Sequence, residues 1–256
     1  MKLDDVKKLH QKKYRQQFGY YLVEGEHLIL ELEKAAKTQS HLTSLQLYVT
    51  EDYQEWANQT LQGNHKILTV SKKQMAAISD TKTPQGIIAV VPLATKQSAA
   101  SSNAPAGNGK TEKAIYLHEV QDPGNLGTIL RTLAWFGGFR LLLSPNSVDP
   151  FNPKVVRSSM GAIFHVPMEL DVSLDALQSR FDRFAYLDMD GSPVNSKGFS
   201  DFPCYLFGNE ARGVPRDALD NVNASPFTIA GCGAIESLNL ASTVNMCAYQ
   251  LSLASV

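Results

Sequence analysis

Residues 113–256 alternate between short apolar strands and helical segments, and this alternation most limits how the chain can fold. The predicted elements are strands at 114–118, 139–143, 183–187, 204–208 and 226–230, and helices at 125–136, 152–160, 173–181, 215–220 and 238–252. Short strands that alternate with helices are typical of a parallel sheet covered on both faces. The sequence therefore predicts an α/β domain whose ligands bind beyond the carboxyl ends of the strands.

A run of small and polar residues at 94–112, ATKQSAASSNAPAGNGKTE, precedes this domain. It contains no large apolar side chain, so it cannot build a core and is predicted to be a linker. Residues 1–93 also alternate between predicted strands and helices, on a smaller scale. We therefore expect two domains, a small α/β domain at 1–93 and a larger α/β domain at 113–256.

The charges of the chain are unevenly distributed. Its 256 residues include 24 basic and 25 acidic side chains, a formal net charge of −1, which by itself argues against a phosphate-rich partner. Residues 1–22, however, contain six Lys or Arg and only two Asp, with aromatic residues interleaved. Because phosphate attraction acts within a Debye length of ~8–10 Å, we expect any nucleic-acid affinity to be concentrated in this arm. A solvated helix face is the alternative.

Several classes of protein are excluded by what the sequence lacks. No stretch of about 18 apolar residues occurs, and the first ten residues lack the apolar segment of a secretory signal. The three cysteines form no C-x-x-C pair, and the six histidines lack metal-ligand spacing. We expect a cytoplasmic protein with reduced cysteines and no metal site.

Three glycine-bearing polar loops follow predicted strands of the larger domain. The first, DPGNLG at 122–127, has Asn125 as the expected helix cap and is followed by Arg131, whose guanidinium suits a phosphate or carboxylate. The second, GNEARGVP at 208–215, can present backbone groups to a ligand. The third, GCGAIESLN at 231–239, lacks the last glycine of the dinucleotide fingerprint, which disfavours a nicotinamide or flavin site. Each loop alone also fits an ordinary turn, but together they indicate one composite site.

The three loops resemble the three motifs of the SpoU/TrmH-type RNA 2′-O-ribose methyltransferases of the SPOUT class. The matching residues are Asp122-Pro123-Gly124-Asn125-Leu126-Gly127 with Arg131 and Ala134, Leu206-Phe207-Gly208-Asn209-Glu210 with Gly213, and Ser237-Leu238-Asn239-Leu240. The N-terminal part is similar to that family's ribosomal-protein-like, RNA-binding substrate domain, through Lys12-Lys13-Tyr14-Arg15, Phe18, Leu22-Val23-Glu24-Gly25 and Pro84-Gln85-Gly86-Ile87. Two departures are Ala211, where many relatives have glycine, and Ala230-Gly231, where many have a Pro-Met pair.

The resemblance implies a C-terminal domain with a trefoil knot, bound S-adenosylmethionine, a homodimer, and methyl transfer to a ribose 2′-hydroxyl of ribosomal RNA. The residues it assigns to catalysis are Arg131, Asn125 and Glu210. Those it assigns to the cofactor are Leu206, Gly208, Ile229, Leu238 and Asn239. Those it assigns to the RNA substrate are Lys12, Lys13, Arg15 and Ser237.

Several alternatives stay open at this point. Arg131 can act as an activated base helped by the target phosphate, or it can orient that phosphate and stabilise the developing alkoxide. Ser237 and Asn239 can line the pocket or only cap the last helix. The substrate can be transfer RNA, the methyl group can go to a base, or the fold can be a non-catalytic RNA-binding protein.

Overall fold

The structure is a computed structural model that describes residues 1–93, 112–220 and 222–253. The described residues form two compact units, one made of 1–93 with Asp149–His165 and the other of 112–148 with 166–253. Both units alternate strands and helices, so the predicted α/β class is confirmed. The predicted linker at 94–112 lies outside the described residues except for Glu112.

The first unit contains a four-stranded sheet in the order β1-β4-β2-β3, in which β4 pairs antiparallel with β1 and β2 while β2 and β3 run parallel. Its strands are β1 (Tyr20–Glu24), β2 (Gln46–Val49), β3 (Lys66–Thr69) and β4 (Ile87–Pro92). Its helices are α1 (Leu3–Lys8), α2 (Lys12–Phe18), α3 (Glu26–Ala36), α4 (Glu51–Thr60), α5 (Lys72–Ile78) and α7 (Pro153–Ser158). The β-branched run of β4 is buried in the middle of the sheet, where such residues pack best.

The basic N-terminal arm is part of this core. Val6 and Leu9 are fully buried, and Arg15 is only 3% exposed. The Arg15 guanidinium donates from Nε to Asp149 Oδ2 (2.9 Å) and from Nη1 to the carbonyl oxygens of Leu9 and His10 (2.8 and 2.9 Å). Arg15 therefore does not fit its predicted role in RNA binding, because its donors are already used inside the protein.

Residues Asp149–His165 belong to the first unit, although the predicted boundaries placed them in the C-terminal domain. The contacts that hold them there are the Arg15–Asp149 ion pair, the Arg157–Asp80 ion pair (2.7 Å), the Tyr21–Phe151 ring contact (4.8 Å between centroids) and the bond from Gln39 Nε2 to Phe164 O (2.6 Å). Boundaries drawn from a linker composition could not foresee this, since these contacts join residues far apart in sequence.

The second unit is built on a six-stranded parallel sheet in the order β10-β8-β9-β5-β6-β7. Its strands are β5 (Lys113–Leu117), β6 (Phe139–Leu143), β7 (Met168–Glu169), β8 (Phe184–Pro193), β9 (Cys204–Phe207) and β10 (Ala224–Thr228). Its helices are α6 (Pro123–Phe136), α8 (Leu174–Arg180), α9 (Arg216–Leu219) and α10 (Leu240–Leu253). Apart from the two-residue β7 and a 3-10 turn at Phe199–Asp201, each strand and helix overlaps a predicted one; the knot stays a prediction.

The pairing of β8 with β10 is interrupted at one place. Pro226 pairs with Tyr186, but the next residue of β10, Phe227, pairs with Ser192. Residues 187–191 therefore leave the ladder near the carboxyl end of β10. Such irregularities often re-aim side chains next to ligand sites. Within the described ranges, no helix is long and apolar enough to cross a membrane.

The buried Arg15–Asp149 pair gives a test of how the first unit is held together. Replacing Asp149 with alanine leaves a buried guanidinium without its carboxylate, so we expect Asp149→Ala to lower the free energy of unfolding by about 3–5 kcal/mol. Urea denaturation measures this loss. Lys12→Ala, at an exposed position of the same helix as Arg15, should change stability by less than about 0.5 kcal/mol. Similar losses in the two variants would mean that the pair does not hold Asp149–His165 in place.

Candidate functional site

A cavity of about 1220 Å³ opens at the carboxyl edge of the parallel sheet. Its lining comes from the segments that follow β5, β9 and β10 and from residues 187–189. The lining residues are Gln121, Asp122, Asn125, 187–189, 207–218, Thr228, Ile229, 236–240 and Thr243. The site thus lies where the carboxyl ends of neighbouring parallel strands are expected to bind a ligand.

The Glu210 carboxylate joins the first two of the three loops. It accepts hydrogen bonds from the backbone N–H groups of Gln121 (3.1 Å) and Asp122 (3.2 Å) and from Asn125 Nδ2 (3.3 Å). Asn125 Oδ1 in turn accepts a bond from Asn239 Nδ2 (3.0 Å), which brings in the third loop. Asn125, Glu210 and Asn239, far apart in sequence, therefore form one continuous hydrogen-bonded chain at the cavity.

The residue that caps α6 differs from the predicted one, and this difference leaves the Asn125 side chain free to bond Glu210 and Asn239. The helix is capped by Asp122, whose Oδ1 accepts the Asn125 N–H (2.7 Å), and Pro123 occupies the first turn. The sequence predicted Asn125 as the cap, and this prediction is wrong. Because Asp122 performs the capping, the Asn125 side chain can reach Glu210 and Asn239.

Asn239 caps a helix and also takes part in the site. Its Oδ1 accepts the Ser242 N–H (3.2 Å) at the start of α10, while its Nδ2 donates to Asn125. Asn239 therefore both lines the cavity and caps the last helix, the two roles that the sequence left open for it. Ser237 is exposed and lines the cavity.

Asn209 fixes the shape of the second loop, and sequence reasoning gave it no role. Its buried side chain donates to Glu119 O (2.6 Å) and accepts the N–H groups of Ala211 (2.9 Å) and Arg212 (3.1 Å). The backbones of Asn209 and Gly213 also bond to each other in both directions (2.9 Å each). The signal was present in the sequence, since asparagine commonly bonds backbone groups two residues ahead in a tight turn.

Position 208 must be glycine because the backbone of Gly213 and Val214 lies too close for any side chain. A Cβ at this position would lie 2.2 Å from Gly213 C and 2.4 Å from Val214 N, which no real contact allows. Gly213, by contrast, has open space around it but a φ of +69°, a conformation that favours glycine or asparagine. The two glycines therefore serve different purposes in one turn.

Most of the residues predicted to bind a cofactor line the cavity. Gly208, Ile229, Leu238 and Asn239 do so. Leu206 does not, because its side chain is fully buried in β9 within a core cluster that includes Tyr116. The motif residue Leu206 therefore supports the sheet beneath the site.

Arg131 lies apart from this arrangement. It is exposed on α6 and is not among the residues lining the cavity. No hydrogen bond joins it to Asn125 or Glu210. Four residues further along the same face of α6, the side chain of Trp135 is 84% exposed.

The cavity has an acidic lining. Its charged residues are Asp122, Asp188, Glu210, Asp217 and Glu236, against Arg212 and Arg216. The resulting excess of negative charge favours a ligand that carries a positive charge. At the carboxyl end of β5, burial lowers the pKa of His118 and Arg212 lowers it further, while Glu119 opposes both effects. The lowered pKa favours the neutral imidazole, so His118 does not offset this negative charge.

The fold matches that of solved RNA methyltransferases. The AdoMet-bound rRNA methyltransferase from Sinorhizobium meliloti superposes with a TM-score of 0.78 at 23% identity, covering 99% of this chain and 95% of that one. The SpoU methyltransferase AviRb from Streptomyces viridochromogenes, in complex with AdoMet, gives 0.80 at 19% identity, covering 98% and 97%. At these identities the likeness establishes the fold alone, which is that of the SPOUT class.

Sequence comparison defines the family. Residues 112–249 match the profile of the SpoU rRNA Methylase family, and residues 2–89 match that of the MRM3-like substrate binding domain. The chain belongs to the SpoU rRNA methylase family. It is 29% identical to the 23S rRNA (guanosine(2553)-2′-O)-methyltransferase RlmP of Bacillus subtilis over 255 residues, or 98% of this chain and 95% of RlmP. It is 35% identical to the mitochondrial rRNA methyltransferase 3A of Danio rerio, over 66% of this chain and 38% of that protein.

The two glycines of the second loop can be told apart by substitution. Gly208→Ala forces the turn apart and should lower the free energy of unfolding by about 1–3 kcal/mol. Gly213→Asn should cost less, because asparagine tolerates a positive φ and nothing occupies the space around Gly213. Thermal unfolding of both variants without ligand measures the difference. If Gly208→Ala were as stable as the wild type, the close approach to Gly213 would not constrain the loop.

Proposed function

We propose that this protein transfers a methyl group from S-adenosylmethionine to a ribose 2′-hydroxyl of ribosomal RNA. The observation that carries the proposal is the Glu210–Asn125–Asn239 chain, which links the three family motifs at the edge of one cavity. The names of the relatives support it, since RlmP is a 23S rRNA 2′-O-methyltransferase and the Sinorhizobium and Streptomyces structures contain AdoMet.

The cavity residues fit S-adenosylmethionine in charge and in polarity. The negative lining suits a sulfonium cation, and the apolar side chains of Leu187, Ile229 and Leu238 suit an adenine ring. Backbone groups at Gly208 and the side chain of Asn239 complete the proposed binding set. When bound, the cofactor supplies a methyl group on a positively charged sulfur.

Glu210 and Asn125 act as positioning residues in this proposal. The Glu210 carboxylate is occupied by two backbone N–H groups and by Asn125, so it holds the first loop against the second. Asn125 also accepts a hydrogen bond from Asn239, so the start of α10 is held against the same two loops. Holding the reactants in line can supply several kcal/mol of the barrier reduction, which a preorganised loop provides without movement.

Arg131 is the residue that we assign to the RNA. Its guanidinium is exposed, and in the described part of the chain it has no ion pair, so its charge is available for a phosphate. We favour its orienting the target phosphate and stabilising the alkoxide that develops as the 2′-hydroxyl loses its proton to water. Acting as the base itself requires the arginine to lose a proton first, which is the costlier route.

The RNA-binding surface of the first unit includes Lys12 and Lys13. Both are exposed on α2, and Lys13 Nζ lies 5.7 Å from the centre of the Tyr14 ring. Arg15, on the same helix, anchors α2 to the core and does not contact RNA. Ser237 is proposed to meet the substrate at the cavity itself.

We further propose that the protein is a homodimer formed through α6 and α10. These helices pack together, with Thr132 Oγ1 bonded to Asn245 Oδ1 and with the rings of Phe136 and Tyr249 6.0 Å apart. Their outer faces expose Trp135, Met246, Tyr249 and Leu253. Exposed apolar residues clustered in this way are typical of a protein interface. Arg131 lies beside Trp135, so a dimer would also bring it close to a partner chain.

The proposed activity can be tested on ribosomal RNA isolated from a strain that lacks the gene. We expect the protein and S-adenosylmethionine to create one new site that resists alkaline cleavage, because a 2′-O-methyl group blocks attack on the adjacent bond. Arg131→Ala should lower turnover by 100-fold or more (~3 kcal/mol) with calorimetric cofactor affinity retained.

The control is Arg180→Ala, which removes an exposed arginine paired with Glu169 elsewhere in the unit and should leave turnover unchanged. Near-normal turnover in Arg131→Ala would remove Arg131 from the mechanism. Three other results would contradict the proposed activity. Methylation of transfer RNA alone would indicate a transfer-RNA enzyme, and methylation at a base would indicate a base methyltransferase. Absence of cofactor binding would indicate a non-catalytic RNA-binding protein.

The dimer can be tested independently. Trp135→Arg places a charge in the proposed interface, so light scattering should show a shift from dimer to monomer. Leu170→Arg, at another exposed apolar position, should leave the assembly unchanged. A monomeric wild type, or a Trp135→Arg variant that stays dimeric, would contradict the proposed interface.

A further inference from the structure

One carboxylate on the cavity wall, that of Asp188, has so far been described only as part of the negative lining. Asp188 lies in residues 187–191, which leave the β8–β10 ladder, and it lines the cavity. Its side chain is only 7% exposed, although the next residue, Met189, is well exposed. A charged side chain this deeply buried requires partners that compensate for lost water.

The partners of Asp188 account for most of its hydrogen-bonding capacity. Oδ1 accepts the Met189 N–H (2.6 Å) and Arg216 Nη2, and Oδ2 accepts Arg216 Nε (2.8 Å). The bond to Asp188 raises the pKa of Arg216, which keeps the guanidinium charged. A carboxylate has about four lone-pair sites, and these bonds use three. One acceptor site on Oδ2 is left for a donor from a ligand.

The position of Asp188 indicates binding and not chemistry. In the sheet, β8 is separated from β5 by β9, so β8 and β5 are about two strand spacings, roughly 10 Å, apart. The hydrogen bonds of Asp188 go to Met189 and Arg216, and none joins it to Asn125, Glu210 or Asn239. Leu187, Val214 and Ile229 line the cavity with it and offer apolar surfaces for a flat ring.

Adenosine combines the features that this part of the cavity can accommodate. Its base is flat and largely apolar, and its ribose carries two neighbouring hydroxyl donors. An ionised carboxylate can only accept, so it requires such donors, and acidic side chains accept ribose hydroxyls in dinucleotide sites of other folds. We propose that Asp188, held in place by Arg216, accepts a hydrogen bond from a ribose hydroxyl of the cofactor's adenosine. This assignment rests on the proposed cofactor.

The test is calorimetry with S-adenosylhomocysteine and with its 2′-deoxy and 3′-deoxy analogues. The wild type should bind one deoxy analogue about 10-fold more weakly than S-adenosylhomocysteine, because the carboxylate then lacks its donor. Asp188→Ala should bind S-adenosylhomocysteine about 10-fold more weakly and should no longer distinguish that analogue. This ratio of affinities within one variant does not depend on the fraction of protein that is folded.

Two further variants separate binding from a structural role. Arg216→Gln should weaken the discrimination in part, since the carboxylate loses its orienting partner. Asp190→Asn removes a fully exposed charge from the same segment, 4.0 Å from Arg216 Nη2, and should keep both the affinity and the discrimination.

Distinct results would overturn the assignment. If Asp188→Ala still discriminated as the wild type does, the carboxylate would only shape the cavity. The second such result is that Asp188→Ala lowers the affinity for S-adenosylhomocysteine but not for 5′-methylthioadenosine, which lacks the amino-acid tail. The carboxylate would then recognise the amine and not the ribose. If the wild type bound none of these ligands, the proposed cofactor itself would be wrong, an outcome that the first two results do not produce.

Discussion

The candidate site depends on the carboxylate of Glu210. Two backbone N–H groups of the first loop and the amide of Asn125 converge on it, so one side chain fixes the relation between segments about 85 residues apart in sequence. Hydrogen bonds to a charged acceptor are stronger than neutral ones, and three of them act together here. Through Asn125, these bonds tie the start of α6 and the second loop to the start of α10.

The first unit depends in the same way on a buried charge, that of Arg15. Its donors satisfy two carbonyl oxygens at the end of α1 as well as Asp149. A guanidinium can do this because it offers five donors in a fixed plane. A basic residue in a basic segment thus serves the fold, while its neighbours Lys12 and Lys13 stay exposed. Composition alone cannot separate the two uses, because it counts charges without regard to burial.

The sequence predicted the α/β class, nearly all elements of the second unit and the meeting of Asn125, Glu210 and Asn239. It could do so because strand–helix alternation is a local signal and the motifs come in a known order. It missed the burial of Arg15 and of Leu206, since these follow from contacts that no short segment contains. It also missed Asp188, which comes to the cavity because residues 187–191 leave the ladder, a detail of register that propensities do not encode.

The membership of Asp149–His165 in the first unit has a consequence for the order in which the protein can be completed. A ribosome adds about 5–20 residues per second, so several seconds pass between the emergence of β4 and that of His165. During that interval the guanidinium of Arg15 has no Asp149 to meet. The amino-terminal unit therefore lacks one segment of its final form when its own sheet has been synthesised, and it is completed only after Asp149–His165 has been made.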